Sequence, residues 1–344
     1  MIDQINQPEG ESLVPLEARR HGVVHEIGRG FRMACEDQRP GPVVLAVSGG
    51  RDSLALLIAA VVLRDHDDWS MLPRVVHVHH HLRPEADEEA AHVLAISEQF
   101  QIPAEIRHVE VADGTSATAR KMRYEALEQA ALDCHASFIA TGHHAEDQFE
   151  TILAAIGRGA GPTGLAGMAR KRVLADGILL IRPLLRISRN DAESLCQAAG
   201  ISWCDDPGNV DPATQRGRLR RDVLPVFESL WPGAAVRAAA SADLQAAAAT
   251  ALEGLIASMF GDAAERCWDR SELSRLPVSI VAGGLRRSVL CVTSLTPDRL
   301  SHDALFAAAE AVGDHGMHQR SFQLGSGVNL IVNAREIRIE QGDT

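Results

Sequence analysis

Residues 43–63 read VVLAVSGGRDSLALLIAAVVL: an apolar run, a Ser-Gly-Gly-Arg-Asp-Ser turn and a second apolar run. The first run is short and rich in β-branched residues, which predicts a strand. The second, from Asp52 to Leu63, is long enough for three helical turns. Neither run offers a polar face, so both must be covered on every side. A strand buried on both faces belongs to a parallel sheet with helices above and below it.

The rest of the chain supplies that sheet. Strands are expected at 42–48, 74–80, 105–111, 136–144 and 178–185. Helices are expected at 52–63, 87–100 (with Pro84 and Glu85 just ahead), 116–136, 146–156 and 188–199, where Ser188 can cap. The predicted class is α/β, a doubly wound parallel sheet with a smaller helical or α+β C-terminal region. A helical extension over 1–40, with its helix at 16–36, precedes the Pro40-Gly41-Pro42 break; the main domain spans 41–230. Residues 231–344 hold an Ala-rich linking helix and a smaller domain, with a helix at 301–313 and a hairpin over 321–340.

Three polar segments follow strand ends: SGGRDS, HHHLRPEAD and TGHHAEDQ. In an open parallel sheet, ligands bind beyond the carboxyl ends of the strands, so the three converge on one crevice. Ser48, Gly49, Gly50 and Ser53 offer donors with little bulk at a helix N-terminus, an arrangement that suits phosphate. Asp52 suits Mg²⁺ balancing that phosphate. The segment is neither a Gly-Lys-Ser/Thr P-loop nor GxGxxG. Asp147 and Glu150, three apart, share one helix face and suit an ammonium group. His143 is placed to meet a reacting base or amine, and Arg123 to meet developing phosphate charge. The plainer readings are a strand-end histidine satisfied by backbone and a solvated helix face.

Net charge is −12 over 344 residues, which argues against a nucleic-acid partner until its distribution is counted. Between Arg158 and Arg221 eleven Arg/Lys face six Asp/Glu. Arg216, Arg218, Arg220 and Arg221 crowd together, as phosphate contacts do and as surface charge runs also do. Six cysteines stand without a CxxC pair, which disfavours a zinc ribbon, an iron–sulfur cluster or a persulfide carrier. No run of about 18 apolar residues exists, and the N-terminus is polar, so no membrane association and a cytoplasmic location are expected.

SGGRDS resembles the signature of the PP-loop ATP pyrophosphatases, which split ATP between the α and β phosphates to adenylate a substrate. Within them the chain is similar to the tRNA(Ile)-lysidine synthase family. The resemblance rests on HVHHHLRPEADEEA (77–90), ARKMRYEAL (119–127), TGHHAEDQFETILAAIGRGAGPTGLAGM (141–168), IRPLL (181–185) and WCDDPGNVDPATQRGRLRRDVLP (203–225). It implies a two-step ligation with ATP and Mg²⁺. The wobble cytidine of tRNA(Ile) with a CAU anticodon is adenylated, and free L-lysine then displaces AMP. ATP contacts are implied for Ser48, Gly49, Gly50, Arg51, Asp52, Ser53, His77 and Gly142. Catalytic roles fall to Asp52, Arg123, His143, Asp147 and Glu150, with lysine held by His143, Asp147 and Glu150. Arg158, Arg216, Arg218 and Arg220 are implied as tRNA phosphate contacts, Asp52 as the Mg²⁺ ligand, and Asp147 as a possible second. The C-terminal domain is expected to contact tRNA, and a homodimer is a plausible assembly.

The chain departs from the family's HVNHGLR, RNRIR and SN motifs at His79, His81, Gly217 and Gly208-Asn209. Strand alternation sets residues 77, 79 and 81 on one face and 80 on the other, and a zinc cluster is not expected from them. A tRNA thiolase would need paired cysteines. A non-catalytic RNA-binding relative would lose the ATP residues, whereas all of SGGxDS is intact.

Overall fold

The computed structural model describes residues 13–35, 41–65, 71–81, 85–111, 115–204, 214–261, 263–296, 299–314, 316 and 318–341. Pro84, Gly208 and Asn209, singled out above, lie outside them. The chain divides into two compact units, residues 1–246 and 247–344.

The first unit carries strands β1 (Pro42–Ala46), β2 (Leu72–His79), β3 (Ala104–His108), β4 (Phe138–Thr141), β5 (Lys171–Ala175) and β6 (Ile178–Ile181). Its helices are α1 (Leu16–Arg19), α2 (Gly22–Cys35), α3 (Arg51–Arg64), α4 (Ala86–Gln99), α5 (Ser116–Asp133), α6 (Ala145–Gly157), α7 (Pro162–Leu165), α8 (Arg189–Ala198), α9 (Gln215–Arg218) and α10 (Leu224–Leu230). The strand order is β3-β2-β1-β4-β6-β5. All pairs are parallel except the edge pair β5–β6. The helix expected over 16–36 is broken at Arg20-His21, and the expected fourth and fifth strands are shorter, ending at Thr141 and Ile181. The antiparallel edge strand β5 is an element that the periodicity did not predict.

Alternation along β1 shows why the sheet is covered on both faces. Val43 and Leu45 pack with α2, α3, α4 and α8, whereas Val44 packs with Tyr124 and Leu127 of α5. Residues 53–63 of α3 are all buried, as the absence of a polar face demands. Each fully buried Leu or Ile there contributes about 1.5–3 kcal/mol. The order reverses between β1 and β4, and at that switch point the loops after the two strands leave a crevice.

Between α9 and α10 the helix widens into a π-turn, Leu219–Val223. Pro225 follows, with no N–H to return to the helix, and such turns often mark functional positions. Phe227 of α10 meets Phe149 of α6 edge-on, with centroids 5.1 Å apart. That contact fixes the π-turn over α6.

The division between units falls within α11 (Ala234–Phe260). The second unit adds β7 (Cys267–Asp269), α12 (Arg270–Leu273), α13 (Val278–Val292), α14 (His302–Gly313), β8 (Arg320–Gly325), β9 (Val328–Val332) and β10 (Glu336–Gln341). Its sheet is antiparallel in the order β7-β10-β9-β8. Leu285, Leu305, Leu330 and Ile337 form the centre of its core. Arg270 is buried there and donates to the carbonyls of Ala311, Val312, Asp314, Gly316 and Asn333. One guanidinium thus satisfies the end of α14 and the start of the β9–β10 turn.

Candidate active site

Gly49 adopts φ 86°, a left-handed conformation that glycine takes without a Cβ penalty. It turns the chain from β1 into α3. Ser53 braces the turn: its hydroxyl accepts from the Ser48 N–H at 3.1 Å and donates to the Gly50 carbonyl at 2.8 Å. Gly49 is tied on its other side by the Cys204 N–H, 3.0 Å from its carbonyl. Gly50 caps α3 with no side-chain hydrogen bond, so the first-turn N–H groups have no intrahelical acceptor. They and the helix field face the crevice as an anion site. Arg51 turns from the loop toward α8, where it donates to Glu193 at 2.5 Å and lies 5.3 Å from the Trp203 ring centroid.

The loop after β4 packs directly on this turn. A Cβ on Gly142 would lie 3.0 Å from the backbone of Asp52 and Ser53, so only glycine permits the approach. The approach brings a histidine against three carboxylates. His144 Nδ1 donates to Glu146 at 2.9 Å, and its Nε2 is 3.5 Å from Asp52 Oδ2 and 3.6 Å from Asp147 Oδ2. Burial alone would lower its pKa, but Asp147, the Glu146 hydrogen bond and Asp52 outweigh burial and push it up to about 9. His144 is therefore an imidazolium at neutral pH. Glu146 also accepts from the Arg189 N–H at 3.0 Å.

Asp52 itself is raised by burial against the attraction of His144 and Arg189. Its Oδ1 is buried and has no hydrogen-bond partner. A carboxylate oxygen left bare beside an uncapped helix N-terminus fits a divalent cation bridging to phosphate. His77, behind the turn, is buried with Nδ1 3.0 Å from the Val47 carbonyl. Burial lowers its pKa, so it is a neutral brace at the base of the loop.

On α6, Arg220 of the π-turn reaches between the two carboxylates. Its Nη2 donates to Asp147 Oδ1 at 2.6 Å, and its Nε donates to Glu150 Oε1. Asp147 Oδ2 accepts the His144 N–H at 3.2 Å. Burial would raise the Asp147 pKa, but His144, His143 and Arg220 hold it below the usual carboxylate range. Glu150 stays raised by burial despite Arg220. Arg216 is exposed, 3.9 Å from Glu150. Arg158 and Arg218 are exposed.

His143 differs from its neighbour in charge. Its Nδ1 is 2.7 Å from the Thr141 hydroxyl. Burial first, then Arg182, Arg123 and Arg120, push its pKa down to about 3 against the pull of Asp147. Those arginines belong to a cluster around Tyr124. The guanidinium carbons of Arg172, Arg120 and Arg123 lie 4.9, 5.1 and 5.3 Å from its ring centroid. Arg182 is buried, with Nη1 on the Ala169 carbonyl at 2.5 Å and Nε bare. Among the described residues none of the four forms an ion pair with a carboxylate, so the cluster concentrates positive charge that suits an anion.

A family profile described as a PP-loop domain matches residues 24–227. The chain belongs to the PP-loop domain family. It is 39% identical over 224 residues to a tRNA(Ile)-lysidine synthase of Salmonella choleraesuis (strain SC-B67), covering 64% of this chain and 51% of that one. A tRNA(Ile)-lysidine synthase of Salmonella paratyphi A (strain ATCC 9150 / SARB42) is 36% identical over 252 residues, 72% and 56% of the respective chains. The chain thus spans about half the length of the curated relatives it matches. Among solved structures, the U34-tRNA thiolase NcsA from Methanococcus maripaludis with its [4Fe-4S] cluster superposes with a TM-score of 0.52 at 16% identity, over 64% of this chain and 79% of that one. That likeness concerns the fold alone.

The PP-loop turn and the block after β4 bring Ser48–Ser53, Gly142, His143, Asp147 and Glu150 to one side of the sheet, with Arg123 near His143. Arg220 meets the acidic pair, and Arg51 meets α8. His144 and the Arg120, Arg172 and Arg182 cluster were not singled out from sequence. The doubled His in TGHHAED and the RKR at 170–172 were the available signals. Among the described residues no helix is long and apolar enough to cross a membrane.

Proposed function

We propose that the chain ligates lysine to C2 of the wobble cytidine of tRNA(Ile) bearing a CAU anticodon, at the expense of ATP. The observation that carries this reading is the single crevice in which an uncapped helix N-terminus, the bare Asp52 oxygen and the Asp147–Glu150 pair meet. The similarity to relatives with that name supports the substrate.

The first-turn N–H groups of α3 hold the β and γ phosphates, and Asp52 with Asp147 would hold Mg²⁺. The metal, when bound, neutralises phosphate charge and polarises the α-phosphorus. The cytosine leaves its stack to enter the crevice. Its C2 oxygen attacks the α-phosphorus, the α–β bond breaks and pyrophosphate departs. Arg123, with Arg120 and Arg182 beside it, faces the negative charge that builds on the adenylate. His144, an imidazolium locked to Glu146, holds Asp52 and Asp147 in place. It keeps three carboxylates close without a proton between them.

Lysine then enters with its ammonium against Asp147 and Glu150, where the guanidinium of Arg220 stands in for it in the unliganded protein. The amine must lose a proton before it attacks. His143, with a pKa pushed down to about 3, is a poor acceptor. Glu150, raised by burial, is the better one. The neutral imidazole of His143 serves instead as a hydrogen-bond partner oriented by Thr141. The nitrogen attacks C2, the C2–O bond breaks and AMP leaves. Exposed Arg158, Arg216 and Arg218 position the anticodon stem through its phosphates, and residues 231–344 add a further tRNA surface. ATP, Mg²⁺ and free lysine are the small molecules required, and the cytoplasm is the compartment that supplies them.

Incubation with labelled lysine, ATP·Mg²⁺ and an isoleucine tRNA bearing CAU is expected to put label at the wobble position, with one AMP and one pyrophosphate per lysine. Absence of label, with pyrophosphate released only in the presence of another acceptor, refutes the assignment.

A further inference from the structure

The histidines after β2 assemble in a way that strand alternation does not predict. β2 ends at His79, and His81 lies beyond it with φ 52°. Alternation therefore does not reach His81. The β2–β3 register sets His79 beside His108, and neighbours in a parallel ladder project from the same face about 4.8 Å apart. His81 folds back onto this pair. Its ring stacks on His108 with centroids 5.0 Å and planes 24° apart, and its centroid is 4.1 Å from that of His79. One ring nitrogen from each of the three lies within 4.8 Å of the other two.

The arrangement gathers ring nitrogens at one point, with a single proton shared between two of them. His81 Nε2 and His108 Nδ1 are 2.9 Å apart. His79 Nδ1 accepts the His81 N–H at 3.3 Å, so the lone pair of this ring is on Nδ1 and its proton on Nε2. Nε2 is buried and faces Asp87 Oδ1 at 3.0 Å. A carboxylate behind the other ring nitrogen is the usual support of a metal-bound histidine. A histidine held in the left-handed region costs about 1–2 kcal/mol. A cation at that point, taking one lone pair from each ring in place of the shared proton, offsets the cost.

We propose that His79, His81 and His108 form a binding site for a divalent transition metal of the zinc class. Three neutral imidazoles select zinc, nickel or copper over magnesium and calcium. Metal–nitrogen bonds of about 2.0–2.1 Å in tetrahedral array set the ligand nitrogens somewhat over 3 Å apart, against 2.9 Å between His81 Nε2 and His108 Nδ1 and no more than 4.8 Å across the set. Asp87 contributes negative charge beside His79. The site ties the chain after β2 to the end of β3. It also lies near the nucleotide corner, because the His79 ring centroid is 6.3 Å from that of His77, which braces the PP-loop through Val47. It is separate from the Mg²⁺ position at Asp52 and does not depend on the identity of the acceptor.

The untagged full chain, stripped with chelator, is titrated with Co²⁺ as a visible probe and then with Zn²⁺. One equivalent of cobalt is expected to develop a ligand-field band that zinc bleaches, and zinc is expected to raise the melting temperature. His81→Gly removes the ring yet supplies the residue that its backbone conformation favours, so the variant folds at least as well as the parent. His108→Ala removes an exposed strand-end side chain. Each variant is expected to bind at least about 100-fold more weakly, since even partners behind the ligands are worth 10–100-fold. Failure of the parent to bind one equivalent, or parent-like affinity in either variant, overturns the site.

Discussion

Replacing Asp52 with alanine lowers ATP-dependent pyrophosphate release by about 10³-fold or more while tRNA affinity stays within about twofold. The magnitude follows from losing a preorganised charge at the centre where phosphate charge redistributes. The fold is expected to survive. Asp52 is raised by burial and leaves Oδ1 unpaired, so its carboxylate costs the empty protein stability. Removing it relieves His144 of one neighbour while Glu146 and Asp147 remain. Pyrophosphate release assayed alongside filter binding of the tRNA separates the two effects. Release at the parental rate would show that Asp52 is not the metal ligand, and a matching loss of tRNA affinity would show that the substitution disrupts the crevice.

The second large effect is expected at Arg220. Its guanidinium compensates Asp147 and buried Glu150, and removing one partner of a buried ion pair costs about 3–5 kcal/mol. Arg220→Met is expected to lose that much at neutral pH, read from denaturant midpoints. The deficit has a defined pH sense. Without Arg220 the Glu150 carboxyl, already raised, rises further. A carboxyl whose folded pKa exceeds its unfolded value contributes stability that is present below the unfolded value and lost as pH rises through the folded one. The difference between variant and parent therefore narrows as pH falls below the raised Glu150 value toward 4.5. Because Arg220 occupies the place assigned to the lysine ammonium, free lysine is expected to stabilise the variant more than the parent. A variant as stable as the parent at pH 7, or one that lysine stabilises no more than the parent, contradicts this role.

Much of the crevice was legible from sequence because its elements are local. The VVLAVSGGRDS run contains its own strand, turn and helix start, and TGHHAEDQ contains its own helix entry. Their meeting needs only the parallel-sheet rule. What escaped depends on contacts between distant segments. His143 and His144 are adjacent and chemically equal, yet one has its pKa pushed down to about 3 and the other up to about 9. Asp147 pulls both upward; the difference arises from the Glu146 hydrogen bond and Asp52 at His144 and from Arg182, Arg123 and Arg120 at His143. Arg220 read as a tRNA phosphate contact, one of four crowded arginines; the structure instead turns it inward onto Asp147 and Glu150, through a π-turn followed by Pro225 and held by the packing of Phe227 on Phe149. β5 was missed because its middle is exposed, with Arg172 and Val173 both in solvent, so no apolar run marks it. The histidine cluster escaped because His108 is on a different strand and because the positive φ of His81 breaks the alternation on which the reading relied.

The central claim is that the turn between β1 and α3 grips the phosphates of ATP. A crystal structure of the protein with Mg²⁺ and α,β-methylene ATP tests it directly. The account predicts the β and γ phosphates on the backbone N–H groups of residues 49–53 and a cation on Asp52 Oδ1. Phosphates bound elsewhere, with that corner empty, would contradict it.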